Sequence, residues 1–372
     1  MNIFVKGYWH DWDSVVDRLN NVLGVDGQPT GATTVISDAE IWAFDDKGVN
    51  VMGEFKASDN VTLIAGYDFQ TYSAVDEAFL IAPLSESVHA PFAQVNLDFG
   101  PAHISAGVRH NMPTDGQSKT VWNVSGKFDL TDEVYARGMV GTSFRLPDAY
   151  ELYLIDPCCE KGNPNLIGEQ SFNTEFGIGY KNDTLSVEAM GFYRTVDDLI
   201  TVTYDLPEYP DGFLINSDLK TVVWGGEFIA NLRLSDMFGV TFDYTHTQAR
   251  FDGSTDQIQD IPKDQAKLIL SGQAPSGRFG ATAALNWVGD VYDSVSGVGR
   301  VEHGNYVVAD LSGFVFIDED HHHRLGFRLE NLFNTEYATR VSRVRRDSDN
   351  SSYAAWNLGT PLTLHATYRY SF

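Results

Sequence analysis

Leu362-Thr363-Leu364-His365-Ala366-Thr367-Tyr368-Arg369-Tyr370-Ser371-Phe372 closes the chain as a strict alternation. Successive side chains of an extended strand point to opposite faces, so Leu362, Leu364, Ala366, Tyr368, Tyr370 and Phe372 share one side. Thr363, His365, Thr367, Arg369 and Ser371 share the other. A strand that is apolar on one side and polar on the other belongs at a boundary between two unlike surroundings. The same period recurs upstream. Val61, Leu63, Ala65, Tyr67 and Phe69 oppose Thr62, Gly66 and Asp68, with Ile64 out of phase. Ala93, Val95, Leu97 and Phe99 oppose Gln94, Asn96 and Asp98, and Ala102, Ile104, Ala106 and Val108 oppose His103, Ser105 and Arg109. Residues 174–180, 185–193, 238–244 and 281–287 repeat it with one or two breaks each, while helical periodicity is almost absent.

The connections carry a second signal. Short polar turns lie at Ser58-Asp59-Asn60, Gly100-Pro101, Thr131-Asp132-Glu133, Asn182-Asp183, Ser235-Asp236-Met237, Pro275-Ser276-Gly277 and 318–322, each a hairpin marker. Between them run long irregular segments, roughly 13–48, 73–87, 145–170, 252–262, 293–304 and 335–359. One end of the structure is therefore trimmed and the other elaborate, as in transmembrane barrels with short periplasmic turns and long outer loops. Seven hairpins plus a first strand near 1–12 and a last near 361–372 give about sixteen antiparallel strands. Aromatic residues gather toward strand ends (Tyr8, Trp9, Trp12, Trp224, Trp287, Tyr368 and Tyr370), where a membrane interface would place them. A soluble sandwich or propeller shares the period but needs no such asymmetry.

Composition agrees. The 372 residues are 43% hydrophobic, enough for ordered structure, and 26 Lys+Arg against 51 Asp+Glu leave a formal charge of −25, a poor match for nucleic acid. No run approaches the ~18 apolar residues of a helical span, and Met1-Asn2-Ile3-Phe4-Val5-Lys6 lacks the pattern of a signal peptide. No Walker loop, His-Glu-x-x-His, Gly-x-Ser-x-Gly or paired-cysteine site is present, so no enzyme chemistry and no cofactor are implied.

Three stretches then resemble a known family. They are Ser143-Phe144-Arg145-Leu146-Pro147 with Tyr150-Glu151-Leu152-Tyr153, Gly162-Asn163-Pro164-Asn165-Leu166, Glu169 and Glu175-Phe176-Gly177; Tyr193-Arg194-Thr195-Val196-Asp197-Asp198-Leu199-Ile200; and Glu330-Asn331-Leu332-Phe333-Asn334-Thr335-Glu336-Tyr337 ahead of the terminal strand. In this order and spacing they resemble TonB-dependent outer-membrane receptors. The resemblance implies a 22-strand barrel around an N-terminal plug, with residues 1–372 supplying the C-terminal barrel portion and lacking the plug, the TonB-contacting box, the signal peptide and about six strands. It implies an outer-membrane receptor for TonB-energised uptake of a metal chelate, a ferric siderophore first and cobalamin, copper or haem after it. The passive alternative is a sixteen-strand porin-like channel. Expected partners are the TonB complex, the barrel-assembly machinery, lipopolysaccharide and a small metal chelate.

Candidate sites follow from residue chemistry. Arg340, Arg343, Arg345 and Arg346 cluster in the last long segment, and guanidinium forks suit a polyanionic chelate, lipopolysaccharide phosphates or the loop's own acids. Tyr368, Tyr370 and Phe372 resemble the terminal signal read during outer-membrane assembly. Cys158 and Cys159 are adjacent, with Cα atoms ~3.8 Å apart against the ~4.4 Å usual for a disulfide, so a bridge between them is strained. An oxidising envelope favours a bridge all the same, either that one or one to a segment outside this chain, with a soft copper or haem-iron thiolate site as the alternative. His321-His322-His323 follows Asp318-Glu319-Asp320 in a short turn and reads as solvated. Haem receptors of the family carry a histidine between their two boxes, and residues 148–162 contain none. Asp11/Asp13, Asp45/Asp46 and Asp197/Asp198 offer oxygen ligands for calcium, or mark solvated strand ends.

Overall fold

The structure, a computed structural model, describes residues 1–156, 160–345 and 351–372, with the backbone alone for Arg345. In chain order its elements are β1 (Asn2–Leu23), β2 (Pro29–Ser58), β3 (Val61–Asp76), β4 (Ile81–Phe99), β5 (Ala102–Pro113), β6 (Lys119–Asp129), β7 (Val134–Arg145), the short helix α1 (Ala149–Tyr153), β8 (Glu169–Lys181) and β9 (Leu185–Asp197). There follow β10 (Ile200–Thr203), β11 (Phe213–Asn216), β12 (Thr221–Arg233), β13 (Phe238–Phe251), β14 (Asp264–Gln273), β15 (Phe279–Val288), β16 (Tyr292–Val295) and β17 (Gly299–Glu302). The chain ends with β18 (Tyr306–Phe316), β19 (His323–Glu330), β20 (Ala338–Arg345), β21 (Ser352–Leu358) and β22 (Thr363–Tyr370). Sixteen of these form one sheet in the order β1 to β9, β12 to β15, β18, β19 and β22, each strand pairing antiparallel with its neighbour. The pairs β10–β11, β16–β17 and β20–β21 are separate hairpins within connections. Among the described residues no ladder joins β1 to β22, which are the two edges of the sheet.

Register explains why the alternation holds. Residues directly opposite in an antiparallel pair lie on the same face, so one apolar row can be followed from strand to strand. Val51 pairs with Tyr67, Leu63 with Val95, Val95 with Ala106, and Ala106 with Val124. Further on, Ile178 pairs with Ala189, Ala189 with Phe228 and Phe228 with Tyr244. Leu285 pairs with Ala309, Leu311 with Leu329, and Leu325 with Tyr368. Members of this row are exposed, Phe176 at 67%, Ile178 at 50% and Tyr368 at 60%, so water would meet a continuous hydrocarbon surface. That surface is stable only against lipid. The opposite face is polar and self-satisfied: Asp68 binds Asn50 and Arg109, and Glu188 accepts from the Tyr135 hydroxyl at 2.6 Å and from Arg137.

All seven short turns fall at one end, where β2 meets β3, β4 meets β5 and so on to β18 and β19, and the loop hairpins fall at the other. Trp224 and Trp287, in the apolar row, stand on the loop side of their strands, whereas Tyr368 and Tyr370 stand at the turn side, which makes two aromatic rims, and Trp12 shares the opposite face with Asn50 and Asp68. Two expected loops are instead strand. Segment 13–48 is mostly the upper part of β1 and β2, paired from Asp13 opposite Ala43 to Leu23 opposite Pro29, and 73–87 is occupied by β3 and β4 except for a tight turn. Beyond the bilayer both faces of a hairpin are wet, so the apolar alternation that marks a strand disappears while the backbone ladder continues.

Candidate ligand-binding mouth

The loops at the elaborate end are built around the family-like motifs. Phe144-Arg145-Leu146-Pro147 ends β7, and Asp148 then caps α1. The Asp148 carboxylate accepts from the Glu151 backbone N–H at 2.8 Å, and the Glu151 carboxylate accepts from the Asp148 N–H at 3.0 Å, a complete capping box. Glu151 is held in turn by both Nη atoms of Arg145, at 2.8 and 2.9 Å, and Arg145 also reaches Glu169 at 2.6 Å. One guanidinium thus ties the end of β7, the helix and the start of β8, the planar fork geometry that lysine lacks. The second Glu169 contact, from the Ile200 N–H at 2.9 Å, brings in the connection after β9.

The asparagine box works as a clamp. Asn163 donates through Nδ2 to the Leu214 carbonyl at 3.0 Å, and its Oδ1 accepts from the Asn165 N–H at 3.0 Å. Leu154, Leu166 and Leu214 bury completely or nearly so between these segments, with Phe79, Leu152, Ile200 and Val202 packed around them. This small apolar core lies outside the barrel wall and fixes residues 146–156 and 160–168 against the β10–β11 hairpin. Arg18 of the tall first hairpin joins it, donating to the Ala78 carbonyl at 3.0 Å and pairing with Asp156 at 3.3 Å. The third motif has the same logic. Asn331 is 1% exposed and fully bonded, to Asp310, Thr335 and Thr360, at the base of the last outer loop.

Of the arginines anticipated as ligand contacts, Arg340, Arg343 and Arg345 lie on β20. Arg343 is largely buried, with Nη1 3.3 Å from Ser296 Oγ and Nη2 3.4 Å from Asp211, so it links three loops. Arg340 is exposed, and its charge is felt by Glu160, Tyr150 and Asp260. The Arg345 side chain, Arg346, Cys158 and Cys159 lie outside the described residues. Tyr368 and Tyr370 lie on the outward face of β22, stacked with His323, and Phe372 is fully exposed beyond the strand. His321 and His322 are in the turn, whose N–H groups at His322 and His323 donate to Asp318, while His323 opens β19. The acidic pairs have local partners: Asp45 accepts from Trp9, Asp46 from Gln70, and Asp197 pairs with Lys220.

One constellation at the mouth had no sequence signal. Asp260, Asp293 and His303 come from the connection after β13, from β16 and from the residue after β17, and their donor atoms all lie within 4.8 Å of one another. Asp293 and His303 are buried, and Asp293 also accepts the Val341 N–H of β20. Asp260 has left-handed backbone, φ 62°. Burial, then the adjoining Asp293 carboxylate, pushes its carboxyl up to about 7, with Arg340 pulling the other way.

A sixteen-strand wall with an apolar outer face, a polar inner face and a loop-built mouth at one end defines a transmembrane β-barrel. The family model "TonB dependent receptor-like, beta-barrel" matches residues 5–332, and the chain belongs to that family. It is 24% identical over 331 residues to a vitamin B12 transporter, BtuB, of Vibrio vulnificus strain YJ016, covering 84% of this chain and 48% of that one. It is 24% identical over 225 residues to the BtuB of Photobacterium profundum, covering 60% and 35%. The chain thus spans about half or less of the length of these relatives. Among solved structures, the copper transporter OprC superposes with a TM-score of 0.76 at 15% identity, over all of this chain and 62% of that one. A mutant ferric enterobactin receptor, PfeA, of Pseudomonas aeruginosa gives 0.74 at 15%, over all of this chain and 59% of that one. At such identity these structures share the fold.

Proposed function

We propose that this chain supplies the wall and outer mouth of an outer-membrane receptor for TonB-energised uptake of a metal chelate, a ferric siderophore above all. The observation that carries this reading is the division of labour between the two ends. The turn end is trimmed, whereas the other end spends its length on loops that pack on one another through the Leu154 core and the Arg343 bridge. A passive pore needs no such assembled mouth, while a receptor for a scarce ligand too large to diffuse must capture it first. Arg340, exposed at that mouth, supplies a cationic fork for an anionic chelate, while Arg343 holds the loops around it. The plug and TonB contact belong to the complete receptor, residues 1–372 acting as its barrel portion. The barrel-assembly machinery would read Tyr368, Tyr370 and Phe372, and lipopolysaccharide would surround the outer rim. A cobalamin ligand is the second reading, favoured by the names of the sequence relatives.

The test is uptake by the complete receptor in cells stripped of their own transporters, comparing a radio-iron catecholate siderophore with labelled cyanocobalamin. Arg340→Ser is expected to weaken ferric-chelate binding at least about tenfold, the scale of one lost charge-assisted bond. Uptake of cyanocobalamin alone would move the assignment to the second reading. Equal passage of both without TonB would make the chain a passive channel.

A further inference from the structure

From the convergence of Asp260, Asp293 and His303, we infer a divalent transition-metal site, of the zinc or manganese kind, that staples the connection after β13 to the β16–β17 hairpin. The first observation is geometric. Asp293 and His303, from the two arms of one hairpin, and Asp260, from the connection after β13, place one donor atom each within 4.8 Å of the others, an O, O, N set. Aspartate oxygen and imidazole nitrogen bind zinc at roughly 2.0–2.2 Å, so ligands of one ion lie roughly 3 Å apart. His303 Nε2 and Asp293 Oδ2 are separated by 3.1 Å.

The second observation is independent of the acids. The His303 side chain is 3% exposed, and neither Nδ1 nor Nε2 makes a hydrogen bond. Nε2 approaches Asp293 within ion-pair distance yet out of line for donation. A buried imidazole with both nitrogens unsatisfied costs free energy unless something else binds it. An ion shared with the two carboxylates supplies that partner and cancels their mutual repulsion. Imidazole in the donor set, with only two carboxylates, disfavours calcium and magnesium, which take six or more oxygens. The rest of the site is already fixed: Asp293 is held by the Val341 N–H, and Trp356 of β21 presents its edge to the His303 ring, centroids 6.5 Å apart. Since Asp260 enters from the connection after β13, the ion would close that loop onto the β16–β17 hairpin, which Asp293 and the Val341 N–H already join to β20. The bound metal is structural, distinct from the cargo, and it would hold the Arg340 and Arg343 hairpin in one position.

The experiment uses the complete receptor extracted in detergent, stripped with EDTA and titrated with zinc chloride by calorimetry, with bound metal counted by mass spectrometry. One zinc per chain is expected. Asp260→Asn, at an exposed position that leaves the fold undisturbed, is expected to weaken binding by more than the roughly 10–100-fold typical of losing a mere supporting contact. His303→Gln is expected to do the same, and if it fails to reach the membrane the Asp260 variant decides alone. Absence of zinc and manganese binding in the wild type overturns the inference, as does undiminished binding by Asp260→Asn or a site filled by calcium in preference to zinc.

Discussion

The side-chain amide of Asn331 donates to the carbonyl oxygen of Thr360, 2.9 Å away and 29 positions along the chain. The same nitrogen reaches the Thr335 carbonyl at 2.8 Å, and Oδ1 accepts the Thr335 N–H at 2.8 Å. One buried residue therefore closes the base of the loop that carries Arg340 and Arg343. Asn331→Asp keeps the shape but turns an acceptor toward two carbonyls. We expect a loss of about 2–4 kcal/mol, the cost of several buried groups left unpaired, read as earlier thermal unfolding of the detergent-solubilised protein and faster proteolysis of residues 332–362. Unaltered stability would show that the clamp is replaceable by water.

Gly162 marks a close approach of backbone to backbone. A Cβ there would stand 2.7 Å from the Leu154 nitrogen and 2.9 Å from the Glu151 carbonyl oxygen. Neither neighbour can rotate away, so Gly162→Ala should shift the loop and expose Leu154 and Leu166, at a cost of roughly 1–3 kcal/mol for overpacking. Hydrogen exchange across residues 149–166 should accelerate, with the wall strands unaffected.

Glu160 supplies a pH dependence. Burial, then the nearby Asp156, raises its carboxyl above the ordinary 4.5, while Arg340 and Arg343 oppose the rise. Tyr150 and Tyr204, which also feel its charge, have their own hydroxyls raised by burial and stay neutral in this range. The protonated form suits the folded loop better. Its contribution is therefore fully present below pH 4.5 and is lost as pH climbs through the raised value. Loop 146–168 should resist proteinase K better at pH 5 than at pH 8, and Glu160→Gln should flatten that difference. A difference of equal size in the variant assigns it to another group.

Arg145 joins Glu151 to Glu169. Arg145→Lys can satisfy one carboxylate at a time, and should loosen α1 by about 1 kcal/mol, because the guanidinium is partly open to water. Exchange of the Glu151 and Leu152 amides measures it.

Removal of Phe372 tests the terminal signal. The ring is wholly exposed and makes no strand pairing. Its loss should leave the wall intact but lower the amount of receptor reaching the outer membrane. Normal yield would confine Tyr368, Tyr370 and Phe372 to a role in the aromatic rim.

The wall was legible because lipid on one side and a polar interior on the other print a period of two on every crossing, as Ala93 to Phe99 shows. All seven short turns fell where Gly, Pro, Asn and Asp announced them. The height of β1 and β2 was not legible, since above the bilayer both faces meet water and Asp13, Asp17 and Asp38 read as loop. Nor was the β10–β11 hairpin, whose anchor Leu214 is one residue buried against Leu154 and Leu166 from another connection. The family-like motifs were visible as strings, but their task, rim carpentry by Arg145, Asn163 and Asn331, needed coordinates. Asp260, Asp293 and His303 share no spacing, because the sheet, not the chain, brings them together.

The first hairpin extends the reach of the molecule. The thirty residues of β2 measure roughly 100 Å when extended, and a tilted crossing consumes about ten of them. The turn at its tip, where the Gly24 N–H donates to the Gln28 carbonyl and Gly27 takes a left-handed φ of 78°, is therefore carried well beyond the membrane-crossing part of the wall. A foreign epitope inserted at that turn would ride on a ladder of its own, apart from the Leu154 core and the Arg343 bridge.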